Sequence, residues 1–269
     1  MCASPLYHES VGSGDPIVSL HAGAGVADCR MWDSQVEAFS KKYRVVRFDA
    51  QGFGRSPSSK EPVPRAEDLY EILHTLEIPK AHLIGVSMGG AAAIDFTLCH
   101  PEMVGSLVLV ASGLSGYAAR DPALVGWLDK QEQRQEKALA RGDLDTATQV
   151  HLETWLAGPQ RRLDDVDQGL CERVRLIARE ALALSARRTQ APGIDPPAVR
   201  RVDEVRAPTF VMVGEYDVPV VLEIADQLAA RIPGSRKRVF LSTAHMLSLE
   251  RPAEFNKAVL EFLEAYPLR

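Results

Sequence analysis

Short runs of consecutive apolar residues alternate along this chain with longer stretches in which apolar residues return every three or four positions. Pro16–Leu20, Tyr43–Phe48, Ala81–Val86, Ser106–Ala111, Thr209–Val213 and Arg238–Leu241 are predicted strands. Val45-Val46, Leu107-Val108-Leu109-Val110 and Phe210-Val211-Met212-Val213 are unbroken and rich in β-branched residues, as in strands covered on both faces. Trp32–Lys42, Ala66–Glu77, Met88–Cys99, Val220–Arg231 and Pro252–Tyr266 are predicted helices. Pro252 suits a first turn, where its missing N–H is not needed. Strand–helix alternation of this kind predicts an α/β fold, a mostly parallel sheet with helices on both faces. Ligands in such sheets bind beyond the carboxyl ends of the strands.

One stretch breaks the rhythm. Residues 112–205 contain no convincing strand, only helical patterns interrupted by Gly142, Gly158-Pro159 and Pro192-Gly193. Leu170, Val174, Ile177, Ala181 and Leu184 form one apolar stripe, with Glu172, Arg173, Arg175 and Arg179 opposite. The expected organisation is a core of residues 1–111 and 206–269 with a helical cap, 112–205, inserted after the fourth predicted strand.

Composition narrows the class. The 269 residues suffice for one domain carrying such an insertion, and 46% hydrophobic with 25% charged residues is ordinary for a globular chain. A net charge of −5 argues against nucleic acid or an anionic membrane as partner. No apolar run approaches the roughly 18 residues of a membrane span. Met1–Glu9 has neither the basic nor the apolar region of a signal peptide. Cys2, Cys29, Cys99 and Cys171 lack paired or zinc-like spacing, so free thiols in a cytoplasmic protein are expected, with Cys99 a small core residue.

The candidate chemistry centres on Gly85-Val86-Ser87-Met88-Gly89, between a predicted strand and a predicted helix. A G-x-S-x-G there is a nucleophile elbow, a turn so tight that its flanking positions favour glycine. The turn sets Ser87 at a helix N-terminus, whose dipole favours developing negative charge. A serine hydroxyl needs a base, and the base an orienting acid, in the chain order Ser, Asp or Glu, His. Asp217 follows the Thr209–Val213 strand, with Glu215 as its rival. His245 follows the Arg238–Leu241 strand, and of seven histidines it alone is both downstream of that acid and directly after a strand. Backbone N–H groups of Met88 and of Gly23, in the small-residue loop after the first strand, are the expected oxyanion donors, with Ala22 and Ala24 as alternatives to Gly23. His21 is expected to brace that loop. Trp127 and Trp155 either line the substrate pocket or pack helices. The glycines fit no phosphate loop and the histidines no metal-binding pair, so no cofactor and no metal are expected.

With these residues in register, the chain resembles the α/β-hydrolase superfamily along nearly its whole length. Leu20-His21-Ala22-Gly23 is similar to the family's L-H-G-x segment, and Asp49-Ala50-Gln51-Gly52-Phe53-Gly54-Arg55-Ser56 to its D-x-R-G-x-G-x-S loop. Leu249-Glu250-Arg251-Pro252 matches its E-x-P. Gln51 stands where the family has arginine, and Ala22 where it has glycine. Met31-Trp32-Asp33-Ser34-Gln35 and Thr243-Ala244-His245 resemble the 3-oxoadipate enol-lactonases and related small esterases. The resemblance implies a serine hydrolase of a small-molecule ester or lactone, working through an acyl-enzyme. C–C hydrolysis, thioester hydrolysis and cofactor-free perhydrolysis use the same triad, and some proteins of this fold are ligand receptors.

Overall fold

The computed structural model describes residues 6–58, 63–119, 121–185 and 191–268. Seven strands form one sheet: β1 (His8–Val11), β2 (Pro16–Leu20), β3 (Arg44–Phe48), β4 (Ala81–Val86), β5 (Val104–Val110), β6 (Thr209–Gly214) and β7 (Arg236–Phe240). Their order is β1-β3-β2-β4-β5-β6-β7, parallel throughout except for β1, which pairs antiparallel with β3 at the edge. All six residues of β4 and all six of β6 are buried, which is why those strands read as continuous apolar runs. β1 was not predicted, because His-Glu-Ser-Val has neither an apolar run nor a fully buried face. The last strand starts two residues before its predicted position, its Arg-Lys-Arg opening lying at the polar edge of the sheet.

Helices α1 (Asp33–Phe39), α2 (Arg65–Thr75), α3 (Met88–Cys99), α7 (Pro219–Arg231), α8 (Leu247–Glu250) and α9 (Pro252–Glu264) surround the sheet. Between β5 and β6 the described residues form no strand and carry the helices α4 (Gly126–Ala140), α5 (Leu144–Leu152), a π-helical turn at Glu153–Ala157 and α6 (Gln168–Ala183), joined by loops. Helix α6 buries Cys171, Val174, Ile177, Ala178 and Leu182, a face turned slightly from the expected stripe, with Leu170 and Ala181 at its margin. The insertion shares its core with the sheet: Leu152, Leu156, Val174 and Ile177 belong to the same buried cluster as the strands, while Ala138, Ala147 and Leu182 form a small cluster of their own. No helix among the described residues is long and apolar enough to cross a membrane.

Chain direction across the sheet reverses between β2 and β4. From β2 the chain steps to β3 on one side, then returns to place β4 on the other. The crevice at the carboxyl ends of these two strands is the topological switch point, where such sheets bind ligands.

Candidate active site

Ser87 stands at that switch point, directly after β4. Its backbone has φ 54° and ψ −114°, in a region that ordinary L-residues avoid and that marks a strained turn. Neighbouring backbone fixes the turn: Ser87 N–H donates to the Val110 carbonyl at 3.0 Å, and its own carbonyl accepts from Ala91 and Gly113, each at 3.0 Å. A Cβ on Gly85 would collide with the Gly89 carbonyl, and one on Gly89 with the Leu20 carbonyl. Those clashes explain the two glycines of the motif. Helix α3 begins at the next residue, so Ser87 occupies its N-cap.

Asp217 and His245 are brought together from the ends of β6 and β7. His245 Nδ1 lies 3.0 and 3.1 Å from the two carboxylate oxygens of Asp217, and each residue is about 1% exposed. A carboxylate only accepts, so Nδ1 is the donor of this pair, and in the neutral tautomer that donates there Nε2 is the acceptor. Asp217 Oδ1 also accepts the Val218 N–H at 2.8 Å, which fixes the carboxylate's orientation. Glu215 faces elsewhere and takes the Ser242 N–H at 2.8 Å. Geometry therefore favours Asp217 as the partner of His245. The His245 Nε2 is buried and has no hydrogen-bond partner among the described residues, so the structure does not close a bond from it to Ser87. Such bonds are commonly long before substrate arrives.

On the oxyanion side, Gly23 and Met88 are neighbours: a Cβ on Gly23 would lie 3.2 Å from the Met88 sulfur. Both line a cavity of about 490 Å³ with Phe53, Ala91, Ala92 and Pro192, whose polar wall is Arg65, Asp95 and Ser115. Arg65 donates to the Gln51 carbonyl at 2.7 Å and to Asp68 at 3.3 Å, while its Nε is buried with no acceptor among the described residues. Asp95 accepts the Ser115 hydroxyl at 2.6 Å, and burial holds its carboxyl above the usual range. The loop itself is braced twice. His21 Nδ1 bonds the Ala22 carbonyl at 2.7 Å while its Nε2 accepts the Ala50 N–H at 2.9 Å. His151, from α5, accepts the Gly25 N–H at 2.6 Å.

Trp155 meets the site directly, its ring centroid 4.6 Å from that of His245. Trp127 lines a different cavity, of about 350 Å³, with Gly158 and Arg161. His82 is buried in β4 against the Ser106 hydroxyl at 2.8 Å. Cys99 is exposed as the last residue of α3, contrary to the core role expected of it, because the cover over that helix ends at Thr97; Cys29 and Cys171 are buried and free, and Cys2 lies outside the described residues. Sequence reading missed His151 as a brace and Arg161 as an ion-pair partner beneath the insertion. Arg161 is in fact largely covered and paired with Glu250 of the E-x-P segment, the one residue of that pair the motif singled out.

A family model described as alpha/beta hydrolase fold matches residues 15–252. The chain belongs to the α/β-hydrolase family. Among curated relatives, a 2-hydroxy-6-oxononadienedioate/2-hydroxy-6-oxononatrienedioate hydrolase of Burkholderia vietnamiensis is 29% identical, over 96% of this chain and 90% of the relative. A solved hydrolase of Pseudomonas aeruginosa is 26% identical with a TM-score of 0.74, covering 96% of this chain and 94% of that one. The enol-lactonase of Burkholderia xenovorans superposes with a TM-score of 0.75 at 23% identity, covering 96% of each chain, a likeness of fold. This hydrolase thus matches its relatives over nearly their whole length.

Proposed function

We propose that this α/β-hydrolase cleaves a carboxylic ester or lactone of a small molecule through a Ser87–His245–Asp217 triad. The observation that carries the reading is the Asp217–His245 pair, set at the same sheet edge as a strained serine elbow. In this mechanism His245 Nε2 removes the Ser87 proton as the oxygen attacks the carbonyl carbon, and Asp217 stabilises the imidazolium. The N–H groups of Met88 and Gly23 receive the oxyanion. Collapse expels the alkoxide, which takes the proton from His245, and water then repeats the sequence to free the acid. Residues 112–205 act as a cap over the site, and the cavity behind Gly23 and Met88 takes the acyl group. Its mostly apolar wall suits a short chain; Arg65, Asp95 and Ser115 suit a polar end.

A second reading has a specific support. The Burkholderia vietnamiensis relative is named as a hydrolase of a nonadienedioate, and the same triad and oxyanion donors serve addition of water across a C–C bond next to a carbonyl. A panel of p-nitrophenyl esters, lactones and vinylogous 1,5-diketo acids, compared by kcat/KM, decides between them. Efficient turnover of esters or lactones with none of the diketo acids supports the first reading. The reverse ranking replaces it with C–C hydrolysis.

A further inference from the structure

We infer that residues 153–161 of the helical insertion belong to the catalytic frame, and that Arg161 is a positioning residue holding His245 through Glu250. This rests on the triad reading above, but not on which bond is cleaved.

Arg161 uses every N–H it has. Nε donates to the Ala157 carbonyl at 3.0 Å. Nη1 donates to the Ser242 carbonyl at 2.8 Å and to Glu250 Oε2 at 2.7 Å. Nη2 donates to the Leu156 carbonyl at 2.8 Å and to Glu250 Oε1 at 3.2 Å. Five bonds on a five-donor guanidinium, two of them forming a bidentate carboxylate pair, fix position and orientation together. The side chains of Arg161 and Glu250 are only 9% and 7% exposed, so water screens the pair little.

Glu250 carries that constraint to the histidine loop. Its Oε1 accepts the Ala244 N–H at 2.8 Å, directly before His245. Arg161 itself holds the Ser242 carbonyl. The loop that presents His245 is therefore pinned on both sides of Thr243 by one ion pair, and one member of that pair comes from the insertion.

The same stretch also meets the His245 ring and the residue before Asp217. Trp155 lies against the His245 ring. Gly158, at φ +77°, passes so close to the Tyr216 carbonyl that a Cβ would collide with it, and Tyr216 directly precedes Asp217. The π-helical turn at Glu153–Ala157 makes these contacts compatible. Its Gly158 N–H reaches back to the Glu153 carbonyl at 3.1 Å, and the Leu156 and Ala157 carbonyls that end the helix turn to Arg161 as acceptors.

The test uses the full chain with Arg161→Met and Glu250→Gln, and Arg179→Ala as a control on the outer face of the insertion. Three readouts are followed: the kcat and KM of the best substrate, the rate of fluorophosphonate labelling of Ser87, and the downfield NMR resonance of the His245 Nδ1 proton. Displacement of a catalytic group by about 1 Å costs on the order of 10²-fold in rate. Arg161→Met should therefore lose about that much in kcat and in labelling, with KM nearly unchanged and the Nδ1 resonance shifted or broadened. Glu250→Gln, which keeps an oxygen for Ala244, should lose less, and the double variant no more than Arg161→Met, since the two act as one unit. Arg179→Ala should match the wild type. Folding is checked by circular dichroism; if Arg161→Met does not fold, Glu250→Gln carries the test alone. A folded Arg161→Met or Glu250→Gln protein with wild-type labelling and an unmoved Nδ1 resonance overturns the inference, as does a change confined to KM. Failure of the wild type to label instead overturns the triad reading, and the Nδ1 resonance still decides the role of Arg161.

Discussion

The sheet edge and the helical insertion meet at Ser87, and they are held there by different physics. At the sheet edge, position is set by backbone. Gly85 and Gly89 let strands and helix approach to distances no side chain allows, and Ser87 is forced to a positive φ by bonds to Val110, Ala91 and Gly113. The insertion is held instead through side chains, by an apolar core it shares with the sheet and by ion pairs across the seam. Arg30 reaches Glu180 at 2.8 Å, Arg173 reaches Asp33 at 2.9 Å, and Arg161 holds Glu250 at 2.7 Å. The first two pairs are exposed, while the side chains of the third are more than nine-tenths covered. Exposed pairs contribute roughly 0–1 kcal/mol and weaken with salt, whereas breaking a buried pair leaves an uncompensated charge and costs about 3–5 kcal/mol. The outer insertion is thus free to be adjusted, and its inner stretch is not.

The largest expected effect tests the sheet edge alone. Asp217→Asn replaces one of the two acceptor oxygens beside His245 Nδ1 with a donor and removes the negative charge, so the ring is held in the wrong tautomer and kcat should fall about 10⁴-fold. Glu215→Gln, which keeps an oxygen for the Ser242 N–H, should stay within about threefold. Equal losses in the two variants would dissolve the distinction between them.

Next comes acid stability, which the contrast assigns to the sheet. Burial in β4 pushes the His82 pKa down to about 4. The unfolded chain, with a pKa near 6.5, binds a proton that the fold refuses. Stability should therefore be complete above about pH 6.5 and decline as pH falls toward 4, by ~3 kcal/mol at roughly 1.4 kcal/mol per unit. Urea unfolding across that window should show the slope, and a folded His82→Gln protein should flatten it. An unchanged slope would locate the acid sensitivity elsewhere.

Much of this arrangement was legible in the sequence, for identifiable reasons. Strands β4, β5 and β6 are covered on both faces, so their apolar runs are unambiguous, and the elbow's glycines sit where a Cβ cannot. Asp217 follows such a strand and His245 follows the shorter edge strand β7, and that placement made both candidates before any distance was known. What was not legible depends on contacts between distant residues. Arg161 and Glu250 are 89 positions apart, and Gly25 and His151 are 126 apart. Their burial arises only when the insertion folds back on the sheet. Helical periodicity likewise cannot show a π-turn, which shifts register over five residues.

A smaller effect probes the seam. Gly158→Ala places a methyl group against the Tyr216 carbonyl in a left-handed backbone conformation, and overpacking of this kind costs about 1–3 kcal/mol. Thermal unfolding should record the loss, with reduced turnover in the folded fraction. A substitution neutral in both would mean the seam yields easily.

Smallest of all is the outer attachment. Arg173→Ala should lower stability by less than about 1 kcal/mol, and the difference from wild type should shrink between low and high salt. A salt-independent loss of several kcal/mol would make the outer pairs as important as the buried one.

The central claim is that Ser87 is a nucleophile activated by the Asp217–His245 pair, and covalent labelling tests it most directly. Folded wild-type protein is treated with a fluorophosphonate and its peptides are mapped by mass spectrometry. The account predicts a single adduct on Ser87, formed far more slowly in Asp217→Asn. An adduct on another residue, or none on folded protein, would contradict it.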